Sequence, residues 1–468
     1  MRLLRREWNH PVDAVFVNPP PCQAVLGDTA LRGRPVKLFR SLGIGNSHPA
    51  FLFVVTIVIM LAFSLSAAAQ NQYYVSTSGS DSNNGTSSST PWRTCSHAIS
   101  SFSLGGGGAV INFAPGNYGT VCTVNRGGPS PTVRLVLKCT AQWTAGGSTG
   151  CRGLGWLVTS ANNVDIGALD QYGFEYTDPN AQVGVDVSWQ CGTAGTCSSG
   201  NGIHVLGNYL HDIGQNASGE GVGCPYSGAI MAPTGHGHTI TDFRAIGNQI
   251  DHFGISGGTS CNAAHGIYVA SAGGIVQNNI ITRAATAAIQ YYDQACNAVI
   301  SNNVLAASRV GVIVYGGNGC TPGSTTVSNN IIVNNSAGAF NTGFGGANDC
   351  VSGRPILFSN NDLFGNAGDY NNAQPSCEIR QNQRSENPAV TFVNYTGTAS
   401  GDYHLKANSI AVSGGTTQCT SGTSACAPAI DFASTSRPST PSLGIFESQG
   451  SNNAGAPAAP SGLTASVQ

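Results

Sequence analysis

Three side chains able to do acid–base and charge chemistry recur at one motif position. Asp212, His252 and Arg283 each stand four residues beyond an asparagine, at Asn208, Asn248 and Asn279. Only 9% of the chain is charged, so an acid, an imidazole and a guanidinium at one repeated position stand out from the background. An imidazole exchanges a proton near neutral pH, and a guanidinium forks onto a carboxylate. Together they suit abstraction of a proton next to a carboxylate. A cation neutralises the substrate anion, a base takes the proton, and an acid assists the leaving oxygen. Arg283 is the expected cation. His252 or His265 is the expected base with Tyr268 as the acid, or with those roles reversed. Asp186, Asp212, Gln290 and Tyr292 are the expected substrate contacts. Each residue also has a plainer reading: His265 could cap a turn before Gly266, Tyr268 could stack on a neighbouring strand, and Arg283 could pair with Asp212 or Asp251.

These positions belong to a repeat. Gly207-Asn208-Tyr209-Leu210, Gly247-Asn248-Gln249-Ile250, Asn278-Asn279-Ile280-Ile281, Asn302-Asn303-Val304-Leu305, Asn329-Asn330-Ile331-Ile332 and Asn360-Asn361-Asp362-Leu363 share Asn at the second place and Leu or Ile at the fourth. The asparagines are 40, 31, 24, 27 and 31 residues apart. An irregular period above twenty, built from short β-branched runs, indicates a β-solenoid. Asn tolerates the left-handed backbone of a sharp corner, and amides stacked about 4.8 Å apart can bond into a ladder.

Matching runs upstream (Gly184–Val187, Ala229–Met231, Gly266–Val269, Ala288–Tyr291 and Gly311–Val314) complete each coil. A coil then reads as strand one, a turn, strand two such as Gly274–Gln277, the Asn corner, strand three, and a loop back to strand one. Stacking turns sequence positions into vertical files. One holds Asp212, His252, Arg283, Ala307 and Asn334. A second, the outward place in strand one, holds Asp186, Met231, Tyr268, Gln290 and Ile313. A third, before the strand-one glycine, holds His265, Ala287 and Val310. The polar members gather between Asp186 and Tyr292 and give way to apolar ones afterwards, as a bounded site would.

From Tyr73 to about Glu447 this pattern resembles the right-handed parallel β-helix superfamily that includes pectate-lyase-like proteins. Tyr73–Asp81 with Pro91-Trp92 resembles the usual opening of such helices, and Ala114-Pro115-Gly116-Asn117-Tyr118 their first coil. Phe392-Val393-Asn394, Asp402-Tyr403-His404-Leu405 and Arg437-Pro438 with Gly444–Glu447 resemble their closing coils. The resemblance implies an all-β right-handed parallel β-helix with three short strands per coil. It further implies a polysaccharide lying along the outer face of strand one, between loops. Because the superfamily holds lyases, hydrolases, epimerases and adhesins, fold alone names no reaction. The leading expectation is a polysaccharide lyase, or a related epimerase, taking the C5 proton of a uronate. Alternatives are a glycoside hydrolase pairing Asp186 with Asp212 or Asp251 with Asp293, and a non-catalytic carbohydrate-binding or adhesin solenoid. Gly235-His236-Gly237-His238 lacks the aspartates of polygalacturonase-like enzymes. Many lyases of this architecture use calcium, here approachable through Asp186, Asp212 and Glu220, together with a lysine or arginine base. Lys138 and Lys406 are the only lysines after residue 69 and both lie far along the sequence from the patch, which argues against a lysine base.

Composition agrees with such a chain. Among 468 residues there are 62 glycines, mixed with Asn, Ser and Thr between short apolar pairs, as in many short strands joined by tight turns. Residues 1–48 are aperiodic and read as an unstructured pre-region. Residues 49–69 hold an apolar run, Phe51–Leu65, followed by Ala67-Ala68-Ala69, and read as a secretory signal. Residues 70–450 are the expected β-helix and 451–468 a flexible tail. After residue 69 there are 13 basic and 19 acidic residues, which argues against nucleic acid or an anionic membrane as partner. A secreted or cell-surface monomer is expected. Fourteen of the 15 cysteines follow residue 69, an even number suited to disulfides outside the cell. Cys191–Cys197, Cys350–Cys377, Cys419–Cys426, Cys224–Cys261 and Cys296–Cys320 are pairings the spacing permits.

Overall fold

The computed structural model describes residues 69–187, 200–215, 227–233, 240–255, 264–270, 273–291, 297–314, 325–342, 355–372, 378–419 and 426–448. The pre-region, most of the signal segment, the tail, Tyr292, Glu220 and Asp293 lie outside them. So do all the cysteines of the spacing-derived pairs except Cys419 and Cys426.

Parallel strands stack coil on coil. The strand-two column is an eleven-stranded parallel sheet running from Asn71–Val75 to Glu378–Gln381. Strands one and three make the other long parallel sheet, because near the N-terminal end they are not yet separate. Cys151–Val158 pairs with Phe174–Tyr176 through Cys151 and Arg152, and with Val183–Val187 through Trp156 to Val158. From Phe174 onward the two columns divide, and every later coil turns a corner between them. Alternate residues point inward, so Val185, Ile230, Ile267, Ile289 and Val312 of strand one meet Leu210, Ile250, Ile281, Leu305 and Ile332 of strand three in one buried core. Parallel strands joined by crossovers take the right-handed path, and the chain is a right-handed parallel β-helix with three strands per coil.

The Asn corner divides its labour between two residues. The first of each pair takes the left-handed backbone: Gly207, Gly247, Asn278, Asn302, Asn329 and Asn360 have φ between 53° and 69°. The second builds the ladder. The Asn208, Asn248, Asn279, Asn303, Asn330 and Asn361 amides are buried, and each Nδ2 from Asn208 to Asn330 donates to the next Oδ1 at 2.9–3.1 Å. The sequence reading gave both tasks to one asparagine. A second, shorter ladder went unread: Asn335 donates to Asn366, and Ser308 accepts from Ala284 N–H while its own N–H donates to Asn335.

The closing motifs do not form coils. After Gln381 a short helix, Pro388–Thr391, leads into an antiparallel pair, Phe392–Asn394 with Asp402–Leu405. The segment returns along the outer face of strand three, where Phe392, Tyr403, Leu443 and Ile445 bury Ile280, Val304 and Ile331. Strand three presents apolar residues on both faces in these coils, so its outer face must be covered. Cys419 and Cys426 are bonded, as their spacing suggested; Cys95–Cys122 and Cys139–Cys151 are further disulfides. No described helix is long and apolar enough to cross a membrane.

Candidate functional site

The file beginning at Asp212 exists as read. Leu210 pairs with Ile250, Ile250 with Ile281 and Ile281 with Leu305, while Ile213 pairs with Phe253 and Phe253 with Ala284. Asp212, His252, Arg283, Ala307 and Asn334 therefore stand above one another, all facing the same side. Each has φ between 50° and 58°, so the file is the left-handed corner leaving strand three. A non-glycine residue there costs about 1–2 kcal/mol.

Within the file the contacts are specific. His252 Nδ1 lies 2.6 Å from Asp212 Oδ1, and His211 Nδ1 lies 2.8 Å from Asp212 Oδ2, so one carboxylate joins two imidazoles. Two hydrogen-bonded imidazoles outweigh the effect of burial and hold the Asp212 carboxyl below its ordinary pKa. No described residue bonds to His252 Nε2, and the side chain is 30% exposed. Arg283 turns aside to Asp251 instead. Its Nε and Nη2 reach the two oxygens at 2.8 and 2.7 Å, which raises the guanidinium pKa further against a smaller opposing effect of burial. Asp251 also accepts from Thr282 Oγ1 at 2.7 Å and from the Ala399 N–H of the returning segment at 3.1 Å. Gln249 Nε2 donates to Ala399 O at 2.9 Å. The C-terminal segment thus reaches the coil of Asp251 and braces the acid that holds Arg283. Arg283 remains 37% exposed.

The strand-one file also has the expected register. Asp186 pairs with Met231, Met231 with Tyr268, Tyr268 with Gln290 and Gln290 with Ile313. All five are buried. His265 needs correction as a base. It is 0% exposed, neither ring nitrogen has a hydrogen-bond partner among the described residues, and burial pushes its pKa down to about 3. A neutral imidazole sealed from water and lying against the Tyr268 ring, centroids 5.6 Å apart, is a packing residue.

Calcium does not fit the described acids. Asp186 is buried in strand one, whereas both oxygens of Asp212 are occupied by imidazoles at the other corner. Among the described residues no three His, Cys, Asp or Glu side chains gather to hold a metal. Of the hydrolase pairings, Asp251 is bonded to Arg283 and Asp293 lies outside the described residues, while Asp186 and Asp212 stand in different files. Two residues that the sequence reading missed, His211 and Glu175, join the cluster, with His211 Nε2 at 3.3 Å from Glu175 Oε1. The available signal was adjacency: His211 precedes Asp212 and stacks on Asp251 in register.

No family model matches this chain, and no curated protein matches it in sequence. Among solved structures it is similar to a pectate lyase, Pel9A, at 15% identity and a TM-score of 0.44, over 82% of this chain and 98% of that one. It is also similar to XylC in complex with xylose, at 11% identity and a TM-score of 0.36, over 80% and 98%. A third is the lacto-N-biosidase of Eubacterium ramulus, at 10% identity and a TM-score of 0.27, over 68% and 67%. The strand register, rather than these distant overlaps, makes the chain a right-handed parallel β-helix.

Proposed function

We propose that this is a secreted carbohydrate-active protein that removes the C5 proton of a uronate residue in a polysaccharide, as a lyase or as an epimerase sharing that step. The observation that carries the reading is the contact between Asp212 and His252. A carboxylate on Nδ1 holds the proton there and leaves Nε2 as an outward-facing base. Arg283 lies one coil on, roughly one strand spacing away. It has a guanidinium edge not used by Asp251 and can neutralise the substrate carboxylate, so that negative charge developing at C5 is stabilised. In the lyase, His252 takes the C5 proton, the C4–O bond breaks, a C4–C5 double bond forms, and the leaving oxygen gains a proton. Tyr268, Gln290 and Asp186, expected from the sequence as the acid and as contacts, are buried in strand one and are given no step; the leaving oxygen takes its proton from water. His265 is given no proton to move.

The test is incubation of the purified chain with alginate, pectate, glycosaminoglycans and neutral glycans. Ultraviolet absorbance of an unsaturated product supports the lyase, and solvent hydrogen exchange at C5 without cleavage supports the epimerase. New reducing ends without absorbance would indicate a hydrolase, and retention without products a binder; either result overturns the proposal.

A further inference from the structure

We infer that His211, clamped between Glu175 and Asp212, is a positioning residue that pins the Asp212 carboxylate and so fixes the His252 proton on Nδ1. The inference rests on the reading of His252 as the base, and it reaches two residues beyond the file itself. Four side chains from three successive coils form a chain: Glu175 Oε1 to His211 Nε2 at 3.3 Å, His211 Nδ1 to Asp212 Oδ2 at 2.8 Å, and Asp212 Oδ1 to His252 Nδ1 at 2.6 Å. Each Asp212 oxygen serves one imidazole. A carboxylate on a one-bond stem can rotate, and holding one oxygen fixes where the other points.

The His211 ring is itself held in place. It stacks on Tyr209 with centroids 4.2 Å apart, and Tyr209 stacks on Trp143 at 5.1 Å. Trp143 Nε1 in turn donates to Gly207 O at 2.6 Å, which ties the stack to the Asn corner. At the far end, Glu175 is buried and its Oε2 has no partner among the described residues. A buried carboxylate whose hydrogen-bond partner among the described residues is an imidazole favours the charged form of that imidazole. Burial of His211 opposes its charge, but hydrogen bonds from Glu175 and Asp212 outweigh it and raise the His211 pKa above the ordinary value. The titratable and charged groups facing the pair are Glu175, with Arg152 in register beside it on the preceding strand, and Tyr209, Asp212, Asp251, His252 and Arg283.

The inference can be tested without a known substrate. In the intact chain labelled with 15N-histidine, with His252 assigned by its loss in His252→Gln, the tautomer of His252 is read from its ring nitrogen shifts. We expect the Nδ1–H form in the parent. In His211→Phe, which keeps the stack on Tyr209, we expect a return toward the mixed tautomers of a free imidazole. His211→Asn, whose amide can take the place of Nδ1, should restore the Nδ1–H form, and Glu175→Gln should weaken it in part. An unchanged His252 tautomer in folded His211→Phe overturns the inference. A locked tautomer that responds to His211, in a chain without elimination or exchange activity, sustains the inference and defeats the proposed reaction instead. Where activity is found, His211→Phe should lower kcat by at least about tenfold with KM little changed.

Discussion

Two corners of the same coil require the same backbone and fill it differently. Before strand three the left-handed place is held only by glycine or asparagine, from Gly207 to Asn360. These are the residues that adopt it at least cost. The asparagines there are also put to structural use. Asn278, Asn302, Asn329 and Asn360 each donate to a carbonyl of the returning segment, at Ile430, Ser442, Thr416 and Gly414. After strand three the same backbone is held by Asp212, His252, Arg283, Ala307, Asn334 and Gly365. Histidine and arginine are costly there, and they occur side by side on successive coils while the cheaper Asn and Gly appear only later. A corner that accepts strain over one bounded stretch points to selection for something other than stability.

That contrast can be broken by experiment. The largest effect is expected for His252→Asn, which removes the base but suits the left-handed backbone. Turnover should fall by about 10²–10⁴ while the thermal midpoint holds or rises slightly. If stability collapses instead, the second corner is as structural as the first. Next in size is Asn302→Ala at the first corner. It leaves the buried carbonyls of Ser442 and Gly444 without their amide, and Asn329 Nδ2 without the Asn302 oxygen. A loss of about 2–3 kcal/mol in denaturant unfolding is expected, with activity per folded molecule retained. A smaller gain, about 0.5–1 kcal/mol, should follow Ala307→Gly, because φ there is 52° and the side chain is exposed. No change in turnover should accompany it.

The smallest effect is in pH dependence. The first corner has no titratable side chain, whereas the second has Asp212 beside His211. The Asp212 carboxyl, lowered in the folded chain, contributes stability above the ordinary carboxyl pKa and loses it as pH falls through its folded value. The His211 imidazole, raised in the folded chain, contributes below an ordinary imidazole pKa and loses this as pH rises through its folded value. Asp212→Asn should therefore flatten the acid side of a stability profile measured by thermal unfolding, and Asn302→Ala should leave its slope unaltered. Asp212 is 50% exposed, so solvent screening keeps the effect slight.

The files were legible because a β-solenoid converts sequence spacing into height, and Asn followed two places on by Leu or Ile marks the start of each strand three. The stacking of Asp212, His252 and Arg283 in one file followed from counting alone, whereas the left-handed corner they occupy did not. The partners of Arg283 did not, because counting gives the file and not the rotamer: Asp251 lies one place earlier, in the adjacent outward-facing file. His265 misled for a related reason. A polar residue beside a strand-one glycine reads as a groove residue, and only packing shows that its ring is enclosed. The returning segment was misread because Phe-Val-Asn and Asp-Tyr-His-Leu have the alternation of coil strands. Whether such a strand extends a column or lies across one depends on which face is left uncovered, and that is a tertiary property.

Residues 388–447 also impose an order of events. Each coil can settle on the one before it as the chain emerges from its N-terminal side, since every parallel strand pairs with a predecessor. The outer surface of strand three cannot be sealed in that way, for Ile280, Val304 and Ile331 wait for Phe392, Tyr403 and Leu443. Asp251 likewise waits for Ala399, 148 positions later. The last part of the chain to be made is therefore the part that finishes the clamp on Arg283, and a polypeptide cut short after its final coil would hold a complete ladder beside an unbraced arginine.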